Sequence, residues 1–462
     1  MNNRILSSLL ASKDLPREAQ GVINRYFAFS GLMRGLFMFS STFYVLFIVE
    51  IVGFKELGVL LAVSFILQAV IDYPSGALGD RIGQRKILAI AYSLHAFAFS
   101  CLILAKSLEF IFVIYIVEAM ARSFESGAIQ SWLDNNYKSI ATDTDPEYKT
   151  YLNIQSRIEM FIGLFSSSMF LLGGIVATWL FRETVFLLQA LGMIIIGILI
   201  IYQLKDVTDI ENASHERYVD ILKGSLGLVI KSPRLSAIVG GVVITNTSIV
   251  IWVELMLMPV YFGYTGSDAL AGSLRFTVWV TSAIVMGLAG FWIKTLKAKK
   301  WLSRIHFIHP FVFFGFFASI TFFFPLQNSL NVFAVALLVI EFTFIGILHL
   351  ASQSLRQSLF IEMIPNNRRN SFYSLLPTLN YILVAPLIFI TGFIMETFGL
   401  STGIAFLGVI ELFGALIYFI SFKLPETWRF SRSTAIIDEL SSSNVLISSS
   451  HGINLAEQMK CC

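Results

Sequence analysis

The sequence predicts an all-α, polytopic membrane protein whose twelve transmembrane helices form two pseudo-symmetric six-helix bundles. Three observations lead to that class. The first is composition: of 462 residues, 56% are hydrophobic and 14% charged, with a mean hydropathy of +0.75. Soluble domains carry about 25% charged residues, and a surface this poor in charge would expose apolar patches beyond what a soluble monomer tolerates. An ordinary cytosolic enzyme, a disordered chain and a secreted disulfide scaffold are excluded; the three cysteines, Cys101, Cys461 and Cys462, make no framework. The second is the recurrence of apolar segments long enough to cross a bilayer. The third is the distribution of Lys and Arg between them.

A crossing helix needs about 20 mostly apolar residues. Cutting the chain at charge and turn clusters leaves twelve such segments, at 27–49, 57–78, 87–105, 110–133, 158–181, 184–204, 237–262, 269–293, 305–325, 330–352, 371–395 and 401–423. Ahead of them, residues 1–26 form an arm with Arg4, Lys13, Arg17 and Arg25 around the short apolar stretch Ile5 to Leu10, which is no cleavable signal peptide. Placing the N-terminus inside puts 27 Lys and Arg in inner segments, three (Lys55, Lys106, Arg182) in outer loops and three within spans. Basic residues favour the cytoplasmic side, so both termini are expected there, in an integral protein of the plasma membrane.

The one long connection, residues 205–236, divides the chain into bundles at 27–204 and 237–424. It is polar at first and amphipathic from Tyr218 to Ile230. The bundles also echo each other: Gly76 and Gly79 are matched by Gly287 and Gly290, 211 residues later, each pair followed by a basic cluster. The Ser-rich tail, 425–462, has too few large apolar residues to pack and is expected to be disordered.

Between the second and third spans stands Gly76-Ala77-Leu78-Gly79-Asp80-Arg81-Ile82-Gly83-Gln84-Arg85-Lys86. Small residues at 76 and 79 let helices approach closely, Gly83 permits a tight turn, and Asp80 sits beside Arg81, Arg85 and Lys86. This loop resembles the signature of the major facilitator superfamily, Gly-x-Leu-x-Asp-Arg-x-Gly-Arg-Lys, with Gln84 inserted before the basic pair. Arg122-Ser123-Phe124-Glu125-Ser126-Gly127 is similar to the family's Arg-x-x-Gln-Gly element, with its glycine one place late. The Gly-Pro-rich antiporter element is missing from span five, where Leu171-Leu172-Gly173-Gly174 has no proline. The resemblance implies the superfamily's fold and a cytoplasmic gate built from Gly76, Gly79, Asp80, Arg81, Gly83, Arg85, Lys86 and, at the inner end of span four, Asp134.

Charged side chains at mid-bilayer cost about 2.5–3.5 kcal/mol on insertion scales and usually face water or one another. Eight of those within the spans are singled out: Arg34, Glu118, Arg122, Glu125, Glu254, Arg275, Glu341 and Glu411. The family architecture puts the first seven on helices that line a central cavity, which makes them candidates for the substrate or proton pathway. Glu411 falls on an outer helix, where it faces lipid, is protonated or pairs. Glu118, Arg122 and Glu125 share one helical face; either glutamate is a candidate proton carrier, and a static ion network is the alternative. The mixed signs suit amphipathic, zwitterionic or weakly cationic solutes. His95, His306, His309 and His349 show no metal-ligand spacing linked to acids, and no metal or cofactor is expected.

The resemblance thus implies a monomeric secondary active transporter that moves a small organic solute by alternating access, coupled to protons or another ion; drug and metabolite exporters fall within this class. No nucleotide-binding loop or hydrolase motif occurs, so no enzyme is expected, and no basic domain suggests nucleic acid. The alternative reading is a transport-inactive relative serving as a membrane receptor or scaffold.

Overall fold

In the computed structural model, residues 3–141, 144–145, 149–206, 226–227, 229–293, 298–364 and 366–424 are described. Every regular element among them is helical. A short helix α1 (Asn3–Leu9) precedes α2 (Arg17–Ser40), and α3 (Tyr44–Ile82) contains a break at Gly53, where φ is +85°. Then come α4 (Gln84–Leu102), α5 (Leu108–Glu125), α6 (Ala128–Ala141), α7 (Lys149–Trp179) and α8 (Arg182–Gln203). The second half holds α9 (Pro233–Thr265), α10 (Asp268–Ile293), α11 (Ala298–Ala318), α12 (Val332–Met363), α13 (Asn366–Phe398) and α14 (Leu400–Ser421). Five-residue π-helical turns interrupt α9 at Trp252–Met256 and extend α11 over Ser319–Phe323.

The helix boundaries follow from local chemistry. Ser107, Ser232 and Asn331 accept hydrogen bonds from the amides of Phe110, Leu235 and Ala334, capping α5, α9 and α12. Pro233, in the first turn of α9, gives up an amide that has no partner there anyway.

Seven described helices are long and apolar enough to cross a membrane by length and composition alone: those at Arg157–Trp179, Arg182–Gln203, Pro233–Thr265, Lys300–Phe323, Val332–Gln353, Leu375–Phe398 and Leu400–Ser421. The other predicted spans lie on α2, α3, α4, α5 and α10.

Two spans differ in form from the sequence expectation. The predicted fourth span, 110–133, is two helices, because Ser126 and Gly127 (φ +70°) turn the chain between α5 and α6. The helix that carries the first span starts at Arg17, with Ala19, Val22, Ile23 and Tyr26 buried, so residues 17–26 of the N-terminal arm belong to a packed helix. Most of the predicted amphipathic connection and the whole Ser-rich tail lie outside the described residues.

Within the first half, α2 packs on α7, α3 on α5 and α4 on α8; within the second, α14 packs on α9 and α11, and α9 on α13. The halves meet along two seams, α3 against α13 and α7 against α10. Aromatic clusters fill the bundle cores: Phe186 against Phe43, Phe47 and Tyr44 in the first, and Trp252 stacked on Phe342 at 4.8 Å in the second.

Candidate functional site

The polar centre of the first half lies between α4 and α5. His95, fully buried, has Nδ1 2.8 Å from Glu118 Oε2 and Nε2 3.2 Å from Glu125 Oε2. Arg122 Nε donates to Glu118 Oε1 at 3.2 Å, and the Tyr92 hydroxyl donates to Glu125 Oε1 at 2.6 Å. The three span-four candidates are thus joined through a histidine on the neighbouring helix. Nothing in the sequence links residue 95 to residues 118–125; only the packing of α4 on α5 does so.

The arrangement imposes a count of protons. Two hydrogen bonds join the ring to the carboxylates, and each needs a proton between nitrogen and oxygen. A neutral imidazole supplies one. The second is held either by the ring, as imidazolium, or by one of the acids. The group therefore carries one shared proton beyond a neutral histidine and two ionised glutamates, and Arg122 balances the remaining negative charge.

Glu118 and Arg122 also line a cavity of about 30 Å³ where the halves meet, together with Tyr44, Gln68 and Tyr115 from the first half and Glu254 from the second. A space of this size holds one or two waters. Glu254 reaches it from the π-helical turn of α9, where the wider winding changes which side chains face inward.

The remaining pathway candidates lie elsewhere. Arg34 on α2 forms a two-pronged pair with Glu159 on α7, at 2.5 and 2.9 Å, with both side chains nearly half exposed. Arg275 on α10 donates to the Ser41 carbonyl oxygen at 2.8 Å and lies 4.1 Å from the Phe170 ring, so it braces one half against the other. Glu341 on α12 sits 3.5 Å from Ser319 Oγ of α11. Glu411, expected at the lipid or in a pair, is buried and accepts from Ser248 Oγ at 2.5 Å.

At the ends near the chain termini, the glycine-rich loop turns at Gly83, whose φ of +96° excludes most side chains. A Cβ there would also stand 2.2 Å from Asp206 Oδ2. Asp206 accepts from the Arg85 amide at 3.0 Å, and Trp132 Nε1 donates to the Lys205 carbonyl oxygen at 2.9 Å, so the start of the central connection docks on this loop. Arg81 and Lys86 are exposed. The Asp80 side chain lies outside the described residues. Asp134 accepts from Gln130 at 2.9 Å and from the Tyr151 hydroxyl. Gly76 has nothing within 4 Å of where a Cβ would be, and Gly79 faces only the Gln84 side chain.

Among the described glycines, close backbone approaches between the halves occur at the opposite ends of the helices. A Cβ on Gly174 would meet the Asp268 carbonyl oxygen at 2.3 Å, one on Gly272 the Phe170 carbonyl oxygen at 2.4 Å, and one on Gly392 the Phe54 carbonyl oxygen at 2.5 Å. Over this seam, Arg182 grips Asp268 through Nε and Nη2 at 2.8 and 3.0 Å and reaches Glu50 at 2.7 Å. The Phe54 amide donates to Glu396 at 2.9 Å. The Arg182–Asp268 and Phe54–Glu396 bonds, together with Arg275 to Ser41 and Ala269 to Thr178, join the halves toward this far face.

Two packed helical halves, with Glu118, Arg122 and Glu254 on a small cavity at their interface, fit the class of membrane transporters. The chain belongs to the Major Facilitator Superfamily, whose family model matches residues 27–388. Among solved structures, it is similar in fold to the nucleoside transporter NupG (TM-score 0.69, 12% identity, covering 87% of this chain and 100% of that one). A D-xylose–proton symporter is also similar (TM-score 0.64, 14% identity, 86% and 96% covered). So is a POT family transporter in complex with 5-aminolevulinic acid (TM-score 0.63, 12% identity, 86% and 95% covered). No curated protein matches the sequence significantly.

Proposed function

We propose that this chain is a proton-coupled secondary transporter of a small organic solute. The observation that carries the reading is the His95 ring held between Glu118 and Glu125, with Glu118 also lining the chamber between the halves. Glu118, on one side of this proton-sharing group, opens on the solute's path, and Glu125, on the other, is 22% exposed. A solute that engages Arg122 draws it away from Glu118, and the carboxylate then takes or releases a proton as its environment changes.

The far-face seam and the small chamber describe a conformer closed on the side away from the termini. With the termini cytoplasmic, as the basic residues suggest, it is the extracellular route that is shut. Solute is bound and released as the two halves rock about the midplane, the general mode of transporters built from repeats. Arg122, Glu254, Gln68 and the two tyrosines are the solute-contacting groups in this reading, and Arg34 with Glu159 lies along the route toward the terminal face.

Flux into proteoliposomes under an imposed pH gradient tests the proposal. A panel beginning with the solute types named for the similar structures, nucleosides, D-xylose and 5-aminolevulinic acid, covers neutral and zwitterionic cargo. Expected are pH-driven accumulation of at least one solute and loss of accumulation, with solute exchange retained, in Glu125→Gln. Accumulation independent of the pH gradient overturns proton coupling. Background flux across the panel, with no solute bound, favours a transport-inactive receptor.

A further inference from the structure

We propose that His306, His309 and Glu411 form a binding site for one divalent transition-metal ion of the zinc class, buried inside the second bundle. The two histidines are three residues apart on α11 and share a helical face; Glu411 comes from α14, more than a hundred residues later. One ligand atom from each lies within 4.8 Å of the others. All three side chains are buried, with 2%, 1% and 0% of their surface exposed.

The second observation is the lack of other partners. Both nitrogens of His306, both nitrogens of His309 and Glu411 Oε2 are buried without a hydrogen bond; His309 Nδ1 stands 3.6 Å from Glu411 Oε1, beyond hydrogen-bonding reach. Buried polar atoms are normally satisfied, and two imidazoles with one carboxylate are a donor set suited to zinc and its neighbours. Ligands of one tetrahedral zinc ion are about 3.3 Å apart, given zinc–nitrogen bonds of about 2.0–2.1 Å. Rotamer adjustments would close the gap from the observed spacing.

The surroundings supply the outer support that metal ligands usually have. Ser248 Oγ on α9 holds Glu411 Oε1 at 2.5 Å, and Tyr418 stacks on the His306 ring at 4.3 Å with 8° between planes. An ion here ties α11 to α14 within one rigid half, away from the chamber and from the inter-half seams. The proposal is independent of what the chamber carries. His306 also follows Gly287 by the same nineteen residues that separate His95 from Gly76. The duplicated position thus serves a proton-sharing group in one half and the metal site in the other.

Metal content of the full chain, purified in detergent, stripped with a chelator and reloaded with zinc or cobalt before desalting, tests this. Expected are one ion per chain, a tetrahedral cobalt spectrum and a higher Tm with zinc. Affinity should fall at least tenfold in His309→Ala and in Glu411→Gln, and stay unchanged in His349→Ala, whose ring pairs with Gln353 instead. If the variants fail to fold, the wild-type cobalt spectrum and stoichiometry decide alone. No ion retained by the wild type, or undiminished binding by Glu411→Gln, overturns the proposal and leaves the three groups as a proton-sharing cluster beside the buried Arg356.

Discussion

Arg182 and Asp268 join the two halves through a fork of hydrogen bonds at 2.8 and 3.0 Å, on the face away from the termini. Both side chains are mostly buried, at 15% and 9% exposure. Charge-assisted bonds of this kind contribute about 1.5–3 kcal/mol, enough to move a two-state balance roughly tenfold or more. Asp268→Asn should therefore open the far face. Spin labels on cysteines replacing the exposed Glu183 and Leu270 should report a longer distance in the variant. An unchanged distribution would show that the fork is incidental to closure.

Glycines at the seam and at the signature loop should respond in opposite ways. Gly272→Ala sets a methyl 2.4 Å from a backbone oxygen of the other half, which only movement of a whole helix can relieve. It should lower transport and destabilise the closed seam by 1 kcal/mol or more, in line with about 1–3 kcal/mol for overpacked sites. Gly76→Ala meets nothing within 4 Å, so it should be neutral or stabilise α3 by about 0.5–1 kcal/mol, the usual gain from glycine to alanine in a helix. Thermal unfolding in detergent checks both.

Removing the ring from the proton-sharing group should be costly. In His95→Ala, buried Glu118 keeps Arg122 but loses its shorter hydrogen bond. A buried polar group left unsatisfied costs about 1–3 kcal/mol, which should appear as a lower Tm. An unchanged Tm would mean that the ring only fills space.

Asp206→Ala should loosen the loop between α3 and α4. The carboxylate caps the Arg85 amide at the start of α4, and loss of such a cap costs about 1 kcal/mol. Hydrogen exchange at residues 83–88 should rise, while the far-face label distance stays as it is.

Much of the architecture is legible in the sequence. Apolar length and the run of basic residues placed the crossings, and the Gly76 to Lys86 pattern pointed to the superfamily. The sequence misplaced what depends on packing between distant segments. Ser126-Gly127 reads as a small-residue step within a span, yet it ends one helix and starts another. Glu159, one residue inside a predicted span, reads as an end residue, yet it meets Arg34. His95 stands apart from any acid in sequence because its partners lie on the next helix, and Glu411 is left between facing lipid, being protonated and pairing because the histidines near it are a hundred positions away. Charge counts locate groups along the membrane normal, but they carry no information about which helix stands beside which.

The far-face seam is backbone against backbone wherever Gly174, Gly272 and Gly392 permit it, so it has no chemical preference for any cargo. Selectivity must then reside in the chamber walls alone. The seam is a common chassis: halves exchanged between relatives that keep these three bare positions and the Arg182–Asp268 fork should still shut, whatever cargo their chambers choose.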